Sequence, residues 1–247
     1  MNIHVLSFWE ISLGSIIVMI LAPWTINNIF QSSTKIASNT DESIAKNVYN
    51  PNARRIQHCL SGCVIYGLSY IIPIYYHGIG LLWVGVCLLL YLDKYKARQI
   101  VQNQFSNLIR PSQGLEGAIW FLIGVVLSAH IFPLQNARVG LLCLSFGDPM
   151  SSYFSSGDEN HRKKSWYSAF ACWVSCLLAV LGFMIPVKDN ISLQKAFLAA
   201  VSCTLAEFFI APSLKIDDNF LIPILTATSL TIYDYIVYKS IFQSYER

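Results

Sequence analysis

The sequence predicts an all-α fold, a polytopic membrane helical bundle with about eight transmembrane helices. Of its 247 residues, 54% are hydrophobic and only 13% are charged, whereas a soluble domain averages about 25% charged residues. The apolar residues form long runs of roughly 20, the length that a helix needs to cross about 30 Å of hydrocarbon. The short alternating strands of a membrane barrel are not visible in the sequence.

Eight apolar segments are predicted to span the membrane. Their approximate bounds are 7–26, 59–76, 79–92, 115–132, 137–154, 166–187, 193–212 and 220–238. Residues 1–52 form the first predicted domain, with one span and a polar cytoplasmic loop, and residues 53–247 form a second, transmembrane domain. Residues 93–110 are polar with apolar positions at helical spacing, which predicts a helix on the membrane surface or packed on the protein.

Lysine and arginine are distributed unevenly between the predicted loops. Most of the 17 cations follow the first, third, fifth and seventh spans. The positive-inside rule therefore places those loops in the cytoplasm and both termini on the lumenal side. The net charge of +3 is too small to indicate a nucleic-acid partner.

The seven cysteines predict neither a disulfide framework nor a metal site. Cys59 and Cys63, like Cys172 and Cys176, have helical i,i+4 spacing, but no histidine or carboxylate nearby in the sequence completes a ligand set. Because nearly all of them lie inside apolar segments, we interpret them as small buried hydrophobic residues.

Polar residues that can carry chemistry gather on the predicted cytoplasmic face. They are Arg54, Arg55, His58, Glu116, Asp148, Arg162, Lys163, Lys164, Ser165, Glu207, Asp217, Asp218 and Asn219. Asp148 lies in a Gly-Asp-Pro sequence that predicts a turn near the end of the fifth span. Turn formation, helix capping and topology signals are the structural alternatives for most of these residues. Glu207 is the hardest to explain in that way, because an unpaired carboxylate inside a membrane is unfavourable.

Acids, cations and a histidine on one membrane face fit phosphoryl transfer. Mg²⁺ prefers carboxylate oxygens and binds substrate phosphates with few protein ligands. Lysine and arginine neutralise phosphate charge, and the acceptor hydroxyl needs positioning and a base. The sequence contains no Walker A motif, no kinase glycine loop with its partner motifs and no HExxH motif.

Several segments stand in an order that resembles a known family. They are Asn52-Ala53-Arg54-Arg55-Ile56-Gln57-His58, Gln113-Gly114-Leu115-Glu116-Gly117, Ser145-Phe146-Gly147-Asp148-Pro149, Lys164-Ser165, Ala206-Glu207 and Asp217-Asp218-Asn219. With these motifs, the chain resembles the CTP-dependent lipid kinases, namely dolichol kinase, phytol kinase and the CTP-dependent diacylglycerol kinase, within the cytidylyltransferase-like membrane superfamily. The resemblance extends over roughly residues 52–230.

The resemblance implies transfer of the γ-phosphate of CTP to a lipid alcohol, with Mg²⁺ or another divalent cation, at the cytoplasmic face of the endoplasmic reticulum. The implied roles are catalysis for Asp148, Lys164 and Glu207, nucleotide binding for Arg55, His58, Arg162, Lys163, Ser165 and Asn219, and metal binding for Asp148, Asp217 and Asp218. The acceptor lipid, whether diacylglycerol, phytol or a polyprenol such as dolichol, stays open. Nothing in the residues themselves distinguishes CTP from ATP.

The chain departs from the family at several glycines. Lys163 replaces the glycine before Lys-Ser, and Met150 and Ser151 replace small residues and glycines after Gly-Asp. Because glycine lets a backbone approach phosphate closely, an alternative is a degenerate, non-catalytic member that acts as a lipid-binding or scaffold protein. A small transporter is a third hypothesis, but it needs polar residues near the midplane and on both faces, whereas here they gather on one.

Overall fold

The computed structural model describes residues 50–71, 75–94, 115–155, 164–185 and 191–245. The described residues are almost entirely helical and contain no strand. The prediction of an all-α fold is therefore confirmed. The first predicted span and nearly all of the predicted surface helix lie outside the described residues.

The helices correspond to the second through eighth predicted spans. They are α1 (Pro51–Ile71), α2 (Tyr75–Lys94), α3 (Glu116–Ile131), α4 (Leu134–Phe154), α5 (Trp166–Met184), α6 (Leu193–Leu205), α7 (Ala211–Leu214) and α8 (Asp218–Tyr245), with a π-helical turn, Ala206–Ile210, between α6 and α7. Among the described residues, three helical stretches are long and apolar enough to cross a membrane: Trp166–Met184, Leu193–Leu214 and Asp218–Ser240. The chain is thus helical and membrane-compatible, and the count of eight spans stays a prediction.

The chain divides into two compact units, Met1–Ile119 and Trp120–Arg247. In the first unit, α1 begins after Asn50, whose side-chain oxygen accepts hydrogen bonds from the backbone N–H groups of Asn52 and Ala53 at 3.0 and 3.3 Å. These bonds satisfy donors that the first turn of a helix leaves free. The sequence-predicted domain boundary falls beside the first described residues and stays a prediction.

Helix α4 is central in the second unit, where it packs against α5, α6 and α8. More than half of its 21 residues are buried. A Cβ atom at Gly140 would lie 2.7 Å from the carbonyl oxygen of Pro223, and one at Gly124 in α3 would lie 2.7 Å from the carbonyl oxygen of Asn219. The two glycines therefore let α3 and α4 approach the backbone of α8 at distances that any side chain would prevent.

The predicted turn at Gly147-Asp148-Pro149 is wrong, because α4 continues through Pro149 to Phe154. Proline has no N–H, so the carbonyl of Ser145 loses its α-helical donor. Gly147 and Pro149 are buried in the bundle, and this packing holds the helix across the local break. Asp148 therefore projects from a helix and not from a loop.

Candidate functional site

Three carboxylates from separate segments meet at one end of the second unit. Asp148 lies near the end of α4, Glu207 lies in the π-helical turn, and Asp218 is the first residue of α8. One oxygen of each lies within 4.8 Å of an oxygen of the other two. Asp148 and Asp218 are half-buried, whereas Glu207 is only 2% exposed. We call these three residues the carboxylate cluster.

The π-helical turn sets the position of Glu207. The backbone N–H of Ala211 bonds to the carbonyl of Ala206, which is the i→i+5 pattern of a π-helix. The next residue, Pro212, has no N–H for the carbonyl of Phe208, and its ring would clash with that carbonyl in a regular α-turn. A wider turn relieves this conflict, and such turns occur frequently at functional sites.

A short connection between α7 and α8 brings Asp218 to Glu207. Lys215 adopts a left-handed conformation with φ 54°, and its N–H donates to the carbonyl of Ala211. This geometry ends a helix and reverses the chain within a few residues. The backbone N–H of Asn219 then donates to Oδ1 of both Asp217 and Asp218 at 3.0 Å. Asp217 thus caps the first turn of α8.

Lys164 supplies a cation to the carboxylate cluster. Its Nζ lies 2.9 Å from Oε1 of Glu207 and also donates to the Glu207 carbonyl oxygen. The ammonium lies 5.2 Å from the centroid of the Phe208 ring, a cation–π contact. Burial lowers the pKa of Lys164, but the charges of Glu207, Asp218 and Asp148 outweigh that effect and raise the pKa overall. The side chain is therefore charged at neutral pH, and it remains 32% exposed.

The hydrogen bonding of the cluster is incomplete within the described part of the chain. Oε1 of Glu207 accepts from Ser151 Oγ at 3.0 Å as well as from Lys164. Oε2 of Glu207 and Oδ1 of Asn219 are buried without a hydrogen-bond partner there. Buried polar atoms are nearly always paired, so an unpaired Glu207 oxygen where three acids converge indicates a site for a ligand. The oxygens of the three carboxylates also converge closely enough to favour a divalent cation.

Asp217 differs from its neighbour in position and role. It was predicted as a metal ligand, but the metal-compatible group comprises Asp148, Glu207 and Asp218, whereas Asp217 caps a helix. Burial and the nearby charge of Asp218 raise the pKa of Asp217 to about 7. Its carboxyl group is therefore about half protonated near neutral pH.

Four of the predicted nucleotide-binding residues are not placed in the cluster by the structure. Arg55 and His58 lie on α1 in the first unit, and Nη1 of Arg55 donates to Oδ1 of Asn52 at 2.7 Å. Arg162 and Lys163 lie outside the described residues. Nucleotide binding by these four residues stays a prediction.

Ser165 caps the start of α5. Its Oγ accepts from the N–H of Ser168 at 3.2 Å, and the Ser168 side chain accepts from the N–H of Ser165 at 2.9 Å. This reciprocal capping box satisfies two first-turn donors. Lys164 is thereby fixed immediately before a rigid helix terminus.

Sequence reasoning assigned no role to two contacts of the cluster. Ser151 was noted only as a departure from the family pattern, although it lies three residues after Asp148 and hence on the same helical face. Phe208 carried no sequence signal, because its contact with Lys164 depends on the π-helical turn.

Aromatic side chains surround the same end of the unit. Trp166 and Tyr167, which follow Lys164 closely, are 83% and 81% exposed, and Tyr153 and Phe154 at the end of α4 are also exposed. Tryptophan and tyrosine concentrate where a bilayer meets water. The carboxylate cluster and these exposed aromatic residues therefore share one end of the second unit.

The sequence is similar to a protein of a bacterium. No family model and no solved structure matches the sequence. The uncharacterized protein RP860 of Rickettsia prowazekii (strain Madrid E) is 27% identical over an alignment of 169 residues, which covers 64% of this chain and 82% of the relative. The name of that relative states no activity.

Proposed function

We propose that this chain is an integral-membrane kinase that transfers the γ-phosphate of CTP to a lipid alcohol at the cytoplasmic face of the membrane. The observation that carries the proposal is the carboxylate cluster of Asp148, Glu207 and Asp218, with Lys164 beside it and a buried Glu207 oxygen without a partner among the described residues. Acidic oxygens and a lysine ammonium are the groups that phosphoryl transfer requires of a protein.

The carboxylate cluster fits a divalent cation. Asp148, Glu207 and Asp218 would hold it, because their oxygens converge within 4.8 Å and oxygen ligands suit Mg²⁺. When bound, such an ion neutralises phosphate charge and orients the transferred group. Ser151 and Lys164 hold one oxygen of Glu207 in place, so the cluster is oriented before any ligand arrives.

Lys164 and Asp148 supply the other groups that phosphoryl transfer requires. The charged, partly exposed ammonium of Lys164 can stabilise phosphoryl oxygens during transfer. The half-buried carboxylate of Asp148 accepts the proton of the lipid hydroxyl. In the transfer itself, the bond between lipid oxygen and γ-phosphorus forms, the bond between phosphorus and the β–γ bridging oxygen breaks, and CDP leaves.

The exposed aromatic residues support a lipid acceptor. An alcohol carried by a membrane lipid lies at the headgroup level, and the exposed Trp166 and Tyr167 are of residue types that concentrate there. The choice among diacylglycerol, phytol and dolichol stays open. CTP as donor rests on the family resemblance, and the endoplasmic reticulum and the lumenal termini stay predictions.

One observation favours the non-catalytic alternative. The first turn of α5, which follows Lys164-Ser165, uses Ser165 and Ser168 to cap itself, and the glycines that would let this backbone approach phosphate are missing. A lipid-binding or scaffold protein would retain the bundle without binding a nucleotide.

Phosphate transfer by the purified full chain tests the proposal. The protein in detergent micelles is given γ-labelled CTP or ATP, Mg²⁺, and diacylglycerol, phytol or dolichol. We expect a labelled lipid with CTP from the wild type and from Asp234→Asn, whose carboxylate pairs with Lys195 elsewhere, but not from Asp148→Asn. No labelled lipid with either donor, from protein that unfolds cooperatively on heating, would support the scaffold alternative.

A further inference from the structure

Three of the four buried cysteines of the described chain bring their thiols together deeper in the bundle than the carboxylate cluster. Cys172 and Cys176 belong to α5 and Cys203 belongs to α6, and all three are fully buried. Their sulfur atoms lie within 4.8 Å of one another, with 3.9 Å between Cys172 and Cys203. The sequence prediction that these cysteines are buried is confirmed, but the third thiol comes from another helix and gave no local signal. We call them the thiol cluster.

The thiol cluster faces a glycine on α4. A Cβ atom at Gly147 would lie 2.7, 2.9 and 3.2 Å from the sulfur atoms of Cys176, Cys203 and Cys172. The absence of a side chain at Gly147 therefore lets all three sulfur atoms pack against the backbone of α4. Sulfur ligands about 2.3 Å from one pyramidal central atom stand roughly 3.5 Å apart, so Cys172 and Cys203, whose sulfur atoms are 3.9 Å apart, need to move only slightly closer.

The net charge of the complex determines which central atom the thiol cluster favours. Three thiolates around a monovalent or divalent metal ion keep a net negative charge, which is strongly unfavourable inside an apolar bundle. Three thiolates around a trivalent centre form a neutral group. The protein interior at this cluster therefore favours a trivalent, thiol-seeking element over copper or zinc.

We propose that the thiol cluster binds a trivalent metalloid of the arsenous acid class. In the reaction, three As–O bonds of As(OH)₃ break and three As–S bonds form. Each thiol proton leaves with a hydroxide as water, so three water molecules are released and no oxidant or reductant is needed. Reactant and product are both uncharged, which lets the small acid enter the bundle without a charged intermediate.

The thiol cluster lies close to the carboxylate cluster along the chain. Cys203 lies four residues before Glu207, and Gly147 directly precedes Asp148, so each is about one helical turn or less from a carboxylate of that cluster. When the three sulfur atoms bond to one arsenic atom, α5 becomes covalently linked to α6 next to α4. The binding itself does not depend on the proposed kinase activity.

Arsenic binding by the full chain in detergent tests the proposal. The test protein carries Cys59→Ala, Cys63→Ala, Cys87→Ala and Cys143→Ala, which leaves only the thiol cluster, and the matched control adds Cys172→Ala. After incubation with arsenous acid and desalting, we measure arsenic per chain and the sulfur coordination number by X-ray absorption. We expect about one arsenic per chain with three sulfur neighbours, and at least a tenfold weaker affinity in the control.

Two outcomes would overturn the proposal. One is less than about a tenth of an arsenic per chain, and the other is equal affinity and equal sulfur coordination in the control. If the multiple variant fails to fold, Cys203→Ser in the otherwise natural chain replaces it, with the exposed Cys87→Ser as its partner. Arsenous acid should then raise the melting temperature of Cys87→Ser and leave that of Cys203→Ser unchanged.

Discussion

The second unit has a polar cluster at each end, and the two differ in how completely they are paired. At the end opposite the carboxylate cluster, Nδ2 of Asn136 donates to Oγ1 of Thr231 and Oδ2 of Asp234, both at 3.1 Å, and Lys195 Nζ lies 2.5 Å from Oδ1 of Asp234. We call this the paired cluster. Asn136 and Asp148 are twelve residues apart on α4, so the two clusters are separated by about 18 Å along the helix.

Both clusters contain a lysine bound to a carboxylate, yet their composition indicates different tasks. In the paired cluster, both oxygens of the single acid have partners, which is what a structural network requires. In the carboxylate cluster, Glu207 bonds to Lys164 and Ser151 through one oxygen, and its other, buried oxygen has no hydrogen-bond partner among the described residues. Incomplete pairing under burial, and not the presence of charge, therefore distinguishes the candidate site.

The largest expected difference is in activity. Asp148→Asn should lower phosphate transfer to lipid about 10³-fold, because the amide can neither bind a cation strongly nor accept the hydroxyl proton. Asp234→Asn, the same chemical change in the paired cluster, should retain activity within about threefold of the wild type. Initial rates with labelled CTP measure both, and equal losses in the two variants would remove the functional distinction between the ends.

Divalent-cation binding should separate the clusters independently of turnover. Mn²⁺, titrated into the full chain and followed by electron paramagnetic resonance, should bind the wild type and Asp234→Asn but not Asp218→Asn. At a hundredfold excess over the dissociation constant, binding should stabilise the fold by about 2.7 kcal/mol. Binding should weaken as the pH falls, because carboxylates must lose their protons to coordinate. Unchanged Mn²⁺ affinity in Asp218→Asn would contradict the assignment.

The two lysines should differ in their contribution to stability. Lys164→Met leaves the buried carboxylate of Glu207 without its counter-charge, and we expect a loss of about 2 kcal/mol, less than the roughly 3–5 for a fully buried pair because Lys164 is 32% exposed. Lys195→Met should lose at most about 1 kcal/mol, since Asp234 is 40% exposed. Equilibrium unfolding in mixed detergent micelles measures both free energies.

A second substitution controls the lysine experiment. The double variant Lys164→Met with Glu207→Gln should recover most of the lost stability, because the uncompensated charge disappears. A double variant as unstable as Lys164→Met alone would show that packing around Phe208, and not charge, accounts for the loss.

The smallest effect is expected at Ser151. Ser151→Ala removes the 3.0 Å hydrogen bond to Glu207 and should destabilise the protein by roughly 1 kcal/mol and lower activity a few-fold. Thr231→Val, which removes the acceptor for Asn136 in the paired cluster, should destabilise by a similar amount with unchanged kcat. Identical kcat values in the two variants would exclude Ser151 as a positioning residue for Glu207.

The sequence predicted the apolar helical segments and all three members of the carboxylate cluster. Apolar runs and their polar borders are local properties, so the positions of α1 to α8 follow from composition and length. Asp148, Lys164, Glu207 and Asp218 were predicted as functional from their residue types and from resemblance. The distinction between Asp217 and Asp218 was not predicted, because two adjacent acids in one loop look alike until the start of α8 is fixed.

The sequence by itself determined an all-α, membrane-compatible chain, because hydrophobic length and charge content follow from neighbouring residues alone. Only the tertiary structure decided that α4 runs through Pro149, that a π-helical turn directs Glu207, and that three thiols from α5 and α6 surround Gly147. These features depend on contacts between helices far apart in the chain. Such contacts can hold a helix together across a residue that locally breaks it, and the pattern of neighbouring residues in the sequence does not predict them.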